Sequence, residues 1–126
     1  LNGNPMTQLE PLMTRENLIA MQDEVAKTYV NEAVVRYIVS LIDATRNHSQ
    51  IQRGASPRAT LSVTAVARAV AQLRGRDYVT PRDVQEVFLR IIGHRLLLTP
   101  RAEAEGVNAQ TILREILEAV PAPVLR

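Results

Sequence analysis

The stretch Gly54-Ala55-Ser56-Pro57-Arg58-Ala59 opens the most alanine-rich part of the chain and predicts the start of a long helix. Ser56 is a residue type that caps helices, and Pro57 suits the first helical position because its φ is preset and it lacks an N–H. Arg58 then lies at the positive end of the helix dipole, which is unfavourable for a cation by roughly 0.3–1 kcal/mol. No acidic residue occurs between positions 44 and 76, so no sequence neighbour neutralises this charge.

A helix N-terminus that also carries a guanidinium favours an anionic ligand, phosphate above all. The alternative is a solvated surface arginine. The tripeptide Ser/Thr-Pro-Arg also occurs at 80–82 and 99–101, which weakens the anion-site interpretation. Those two copies have Asp83 and Glu103 close by in sequence, whereas Arg58 has no nearby acid. This difference partly restores the anion-site interpretation.

Outward from residues 54–59, apolar spacing and capping residues predict four more helices. The five predicted helices are about 15–29, 31–46, 57–74, 80–92 and 108–120. Their predicted core faces are Leu18, Met21, Val25 and Tyr29; Val34, Val35, Ile38, Leu41 and Ile42; Val63, Val66, Val70 and Leu73; Val84, Val87, Phe88 and Ile91; and Ile112, Leu113, Ile116, Leu117 and Val120. We therefore predict an all-α fold, a five-helix bundle.

The predicted organisation is an extended lead-in at 1–13, a helical domain at 14–120 and a tail at 121–126. Residues 94–98 are ambiguous between a short strand and a buried irregular segment. As a strand, 96–98 would pair with 78–79 in one very short β-ribbon, which would be marginal by itself.

Composition fits a helical core, because hydrophobic residues make up 46% of the 126 residues and aromatic residues only 3%. Cysteine is absent, which excludes disulfides and thiolate metal sites and is compatible with the reducing cytoplasm that we expect. No apolar run approaches a membrane span, so membrane insertion is not expected. The chain starts at Leu1 rather than methionine, and we expect it to be a piece of a longer protein.

The charge is unevenly distributed along the chain. Residues 1–45 carry three Lys/Arg and six Asp/Glu, residues 46–101 carry ten Arg and three Asp/Glu, and residues 102–126 carry two Arg and four Glu. The basic middle segment suits an anionic ligand or an acidic partner surface. A nucleic-acid-binding helical domain is therefore one alternative, although Arg58, Arg68 and Arg74 do not share one face of their helix. A purely structural oligomerisation module is another.

Catalytic motifs are missing from the sequence. There is no Gly-x-x-x-x-Gly-Lys-Ser/Thr phosphate loop and no Gly-x-Gly-x-x-Gly, so the chain does not cradle a nucleotide by itself. His48 and His94 lie far apart without flanking ligands, so no metal site is expected. The sequence indicates a binding or regulatory domain that is inactive as an enzyme on its own.

Three motifs in register resemble the C-terminal helical lid of MoxR-type AAA+ ATPases. They are residues 54–59, already quoted, Leu73-Arg74-Gly75-Arg76-Asp77-Tyr78-Val79-Thr80-Pro81-Arg82-Asp83-Val84, and His94-Arg95-Leu96-Leu97-Leu98-Thr99-Pro100 followed by Glu103-Ala104-Glu105-Gly106-Val107. The resemblance extends from about Gly3 to Val120 and implies that the bundle has the AAA+ lid fold.

The resemblance implies that Arg58 is the sensor 2 arginine, which contacts the γ-phosphate of ATP and takes part in catalysis. It places Ser56 and Ala59 beside the nucleotide, and Tyr37 and Ile38 near the adenine, with simple core packing as the alternative for the last two. ATP and Mg²⁺ would be bound mainly by a preceding α/β core domain, and none stably by this chain. The implied partners are that core, neighbouring subunits of a ring (typically a hexamer), a client protein and in some cases a von Willebrand factor A-domain protein.

Overall fold

A computed structural model describes residues 15–125 of the chain. Residues 1–14, which include the predicted lead-in at 1–13, and Arg126 lie outside the described residues. The elements are α1 (Arg15–Ala26), α2 (Glu32–Arg46), β1 (Ile51–Arg53), α3 (Ala59–Leu73), α4 (Pro81–Ile91), a 3₁₀ turn (Gly93–Arg95), β2 (Leu97–Leu98), α5 (Pro100–Ala104) and α6 (Ala109–Ala119). The predicted all-α fold is confirmed.

The hydrophobic core lies between α2, α3, α4 and α6. Three of these helices begin at a side chain that accepts a backbone N–H, as their sequences predict. Asn31 accepts from Ala33 N–H at 2.7 Å, and Asn108 accepts from Gln110 N–H at 2.7 Å. Thr80 caps α4 in the same way. The largest fully buried side chains include Phe88, Ile38, Leu41, Ile92, Ile112 and Leu113.

The buried face of α3 differs from the predicted one. Its buried residues are Ala59, Val63, Ala67 and Ala71, each four positions after the last. Val66 is 40% exposed and Leu73 is 85% exposed, so these two predicted core positions were wrong. Small side chains every fourth residue let neighbouring helices approach closely, and this contact outweighs the greater hydrophobicity of the larger side chains.

The short ribbon is present, but its first strand was placed wrongly. β2 pairs with β1 in an antiparallel arrangement, with Leu98 opposite Ile51. Residues 78–79 are already paired with the link between α1 and α2, since Tyr29 N–H donates to Asp77 O at 2.8 Å and Val79 N–H donates to Tyr29 O at 2.9 Å. Their backbone is therefore occupied, and β2 takes the strand that follows α2 instead.

Helix α1 packs against α3 and buries none of its own residues. The helix ends at Ala26, earlier than predicted, and its predicted core positions Leu18 and Met21 are 37% and 53% exposed. A helix that packs mainly against one other helix buries only a narrow stripe of its own surface. Two apolar grooves of about 410 and 420 Å³ consequently run between α1 and α3.

Candidate functional site at the start of α3

The loop before α3 is held tightly against the C-terminal end of α2. A Cβ added to Gly54 would lie 2.3 Å from the carbonyl oxygen of Thr45, so only glycine permits this approach. The Thr45 hydroxyl is fully buried, donates to Ile42 O at 2.6 Å and accepts the N–H of Ala55 at 3.0 Å. These contacts fix the point from which the chain turns into α3.

We expect Gly54→Ala to lower the free energy of unfolding by about 1–3 kcal/mol, the usual cost of forcing atoms into a packed interior. The added methyl meets backbone, which cannot move aside as a side chain can. Gly93→Ala is the matched control, because the nearest atom to its added Cβ is the amide end of Gln110 at 3.1 Å. Urea unfolding of both variants checks this prediction, and a Gly54→Ala effect no larger than that of Gly93→Ala would contradict it.

The start of α3 differs from the predicted N-cap arrangement. Ser56 makes no side-chain capping bond, and α3 begins at Ala59 with Arg58 in the N-cap position. Residues 56–61 form a tight turn in which the N–H groups of Ala59, Thr60 and Leu61 each donate to the carbonyl three residues earlier. These bonds satisfy the first donors of the helix, so the Ser56 hydroxyl has none left to cap.

The Arg58 side chain is exposed, and within residues 15–125 its guanidinium has no hydrogen bond or ion pair. The arginines of the other two tripeptides are both paired. Arg82 Nε lies 3.6 Å from a Glu86 carboxylate oxygen, and Arg101 Nε lies 3.3 Å from one of Glu105. The pairing acids lie four positions after each arginine, and are not the nearer acids that sequence proximity suggested. Arg58 thus has the free charge that an anion site requires.

The other predicted site residues lie in different surroundings. Ser56 is exposed beside Arg58, whereas Ala59 is fully buried on the core face of α3. Tyr37 and Ile38 are buried in the core of this domain, and the Tyr37 hydroxyl accepts from Gln85 Nε2 at 3.1 Å. This burial favours the core-packing alternative for both residues. The two apolar grooves beside α1 are not lined by Arg58.

At the opposite end of α3 lies a buried ion pair that sequence reasoning missed. Asp83 is fully buried and accepts from both terminal nitrogens of Arg76 at 2.6 and 2.7 Å, and from Arg74 at 3.3 Å. It also accepts the N–H of Thr80 at 2.9 Å, which completes a capping box. Burial raises the pKa of Asp83, but the hydrogen bonds from Arg76 and Thr80 outweigh burial and hold that pKa below its ordinary value.

The sequence carried a signal for this pair. Thr80 followed three positions later by an acid is a capping-box pattern, and two arginines lie just before it at 74 and 76. The structure confirms the capping-box pattern and adds the ion pair with Arg76. Because four of the arginines of the basic segment are paired with carboxylates, the nucleic-acid alternative is weakened; these are Arg74, Arg76, Arg82 and Arg101.

Two features are absent from the described part of the chain. Residues 15–125 contain no group of three or more His, Asp or Glu side chains that could hold a metal ion. Over the same residues, no helix has both the length and the hydropathy that a bilayer span requires.

Comparison with known proteins identifies the family of this domain. Residues 43–116, more than half of the chain, match the AAA lid domain family, so this protein is an AAA lid domain. The chain is 39% identical over 124 residues to the uncharacterized protein YeaC of Bacillus subtilis, with 98% of this chain and 39% of that protein aligned. It is 36% identical over 125 residues to chaperone MoxR1 of Mycobacterium tuberculosis, with 92% of this chain and 33% of MoxR1 aligned.

A crystal structure of a candidate ATPase from Cytophaga hutchinsonii has the same fold. It superimposes with a TM-score of 0.82 at 35% identity, covering 86% of this chain and 36% of that one. This chain thus spans 33–39% of the length of these relatives. It belongs to the AAA lid domain family, as the lid of a MoxR-type AAA+ ATPase.

Proposed function

We propose that this domain is the sensor 2 lid of an ATPase, in which Arg58 binds the γ-phosphate of ATP held mainly by a preceding α/β core. The greater length of the relatives leaves room for such a core. The Mg²⁺ that accompanies ATP would be held on the core side, since residues 15–125 offer no cluster of metal ligands.

The observation that carries this proposal is the free guanidinium of Arg58 on a rigid support. The loop before it is fixed by Gly54 and Thr45, so the side chain projects from a defined point. A cation at a helix start is unfavourable alone, and an arriving phosphate reverses the sign of that interaction. Arg58 is therefore arranged to bind an anion supplied from outside this domain.

The function that follows is coupling between nucleotide state and domain orientation. Arg58 would be held by the γ-phosphate when ATP is bound and released after hydrolysis, which would shift the lid relative to the core. Such a movement would pass to neighbouring subunits of a ring, a hexamer in our proposal. The name of the mycobacterial relative, a chaperone, supports a chaperone-like role. A client protein and a von Willebrand factor A-domain protein are the further partners that we propose.

The shared site predicts that residues 1–126 alone bind ATP only weakly. One arginine without a phosphate loop or a core provides few of the contacts that hold a triphosphate. We expect calorimetry to give a dissociation constant no tighter than about 1 mM, near −4 kcal/mol. Micromolar affinity of the isolated chain for ATP would contradict a site divided between lid and core.

A further inference from the structure

Three helices begin at a Ser/Thr-Pro-Arg tripeptide, namely α3, α4 and α5. They differ in the residue that lies four positions after the arginine. The arginines of α4 and α5 have Glu86 and Glu105 there, and both glutamates pair with their arginine. In α3 the equivalent position is Ser62. Because residues four apart are neighbours on a helix surface, Ser62 occupies the place from which a carboxylate would neutralise Arg58.

A second arginine approaches this same position from another element. Arg95, the last residue of the 3₁₀ turn, donates from Nη2 to the Ser62 hydroxyl in a long hydrogen bond of 3.5 Å. The turn is closed by the N–H of Arg95, which donates to Ile92 O at 2.8 Å. Arg95 is exposed, and no carboxylate pairs with it within the described residues.

Two arginines without a carboxylate partner in the described part of the chain are therefore associated with Ser62: Arg95 is bonded to its hydroxyl, and Arg58 lies four positions before it on the same helix. Side chains four positions apart on a helix have Cβ atoms about 5–6 Å apart. The Arg95 guanidinium, which is bonded to the Ser62 hydroxyl, can therefore reach an anion that is bound by Arg58. Two cations that approach each other repel, and an anion bound by both replaces that repulsion with attraction. The absence of a glutamate at 62 leaves both charges available.

We propose that Arg95 is a second nucleotide-binding cation, which contacts the terminal phosphates of ATP together with Arg58. This inference rests on the proposed function, because it places a further residue at the same site. Arg95 would add to the preference for ATP over ADP, since the extra negative charge of the triphosphate lies at the end that Arg58 binds. Ser62 positions the Arg95 guanidinium and keeps the area free of negative charge.

The first test is nucleotide affinity of the full-length protein, measured with fluorescent ATP and ADP analogues. We expect Arg95→Ala to weaken ATP binding about tenfold, as one partly exposed charged hydrogen bond would, and ADP binding by much less. Arg95→Lys should retain most of the ATP affinity. An Arg95→Ala variant that binds both nucleotides like the parent, or that loses both equally, would overturn the inference.

The second test restores the acid that the other two helices have. Ser62→Glu should place a carboxylate beside Arg58 and Arg95 and weaken ATP binding about tenfold or more, without unfolding the domain. Ser40→Glu is the matched control, because it makes the same exchange at an exposed position of α2. Equal ATP affinity of these two variants would contradict the inference.

The tests separate this inference from the proposed function through Arg58→Ala. If Arg58→Ala lowers ATP affinity while Arg95→Ala does not, the two-cation site is wrong and the sensor 2 assignment stands; Ser62→Glu does not separate the two, because its carboxylate would also neutralise Arg58. If none of the three variants changes ATP affinity, both are wrong.

Discussion

Replacing Arg58 with alanine is expected to lower ATP turnover by the full-length protein about 10²–10³-fold, the usual effect of removing one preorganised charged donor at a reacting group. The fold should be unchanged, because Arg58 is exposed and unpaired, and such positions alter stability by under about 0.5 kcal/mol. Steady-state turnover and thermal unfolding of the same preparation check both parts of this prediction.

Arg82→Ala is the matched control for this variant. Arg82 belongs to the same type of helix-start tripeptide, but it pairs with Glu86 and lies near the opposite end of α3. Its loss should leave turnover within a few-fold of the parent. Normal turnover by Arg58→Ala would remove Arg58 from the mechanism. Concentration-dependent assembly of the isolated chain in that case would favour the oligomerisation-module alternative.

The largest effect on stability is expected at Asp83. Asp83→Ala should lower the free energy of unfolding by about 3–5 kcal/mol, because it leaves the charge of Arg76 in a partly buried site without its partner and removes a helix cap. For a domain of this size the melting temperature should fall by more than about 10 °C. Chemical and thermal unfolding of residues 1–126 measure the change.

Glu86→Ala tests whether the burial of Asp83 is the reason for the large destabilisation expected of Asp83→Ala. Glu86 also pairs with an arginine, at 2.6 Å from Arg74, but both side chains are partly exposed, so its loss should destabilise the fold much less than the loss of Asp83. If Asp83→Ala were no more destabilising than Glu86→Ala, the account of the buried pair would be wrong.

The pH dependence of stability should identify the same carboxylate. The pKa of Asp83 in the folded state lies below its ordinary value of 3.8. A depressed carboxyl pKa stabilises the fold above the unfolded pKa, and this contribution is lost as the pH falls through the folded pKa. The stability difference between the parent and Asp83→Ala should therefore be constant at neutral pH and shrink below about pH 4. A difference that does not change with pH would contradict this assignment.

The sequence predicted the helices well where a local signal defines each end. Asn31, Thr80 and Asn108 cap helices as expected, and Gly75 adopts the positive φ of 75° that suits a residue just after a helix. Apolar spacing also found the core faces of α4 and α6, where large side chains point inward.

The errors arose where packing between distant segments decides the outcome. Alanines of α3 face the core because neighbouring helices come close, which hydrophobicity alone does not reveal. The partner of β2 depends on Tyr29 having already paired with 77–79, a contact between residues far apart in sequence. For the candidate site, the sequence showed that no acidic residue lies near Arg58 along the chain. It could not show that Arg95 reaches Ser62, because that contact joins residues 33 positions apart.

The most direct test of the central claim is a structure of the full-length protein with a non-hydrolysable ATP analogue. We predict the Arg58 guanidinium within about 2.7–2.9 Å of a γ-phosphate oxygen, the distance of a charge-assisted hydrogen bond. An Arg58 side chain that points into solvent, or that pairs with a carboxylate of the core while the γ-phosphate is bound by other groups, would contradict it.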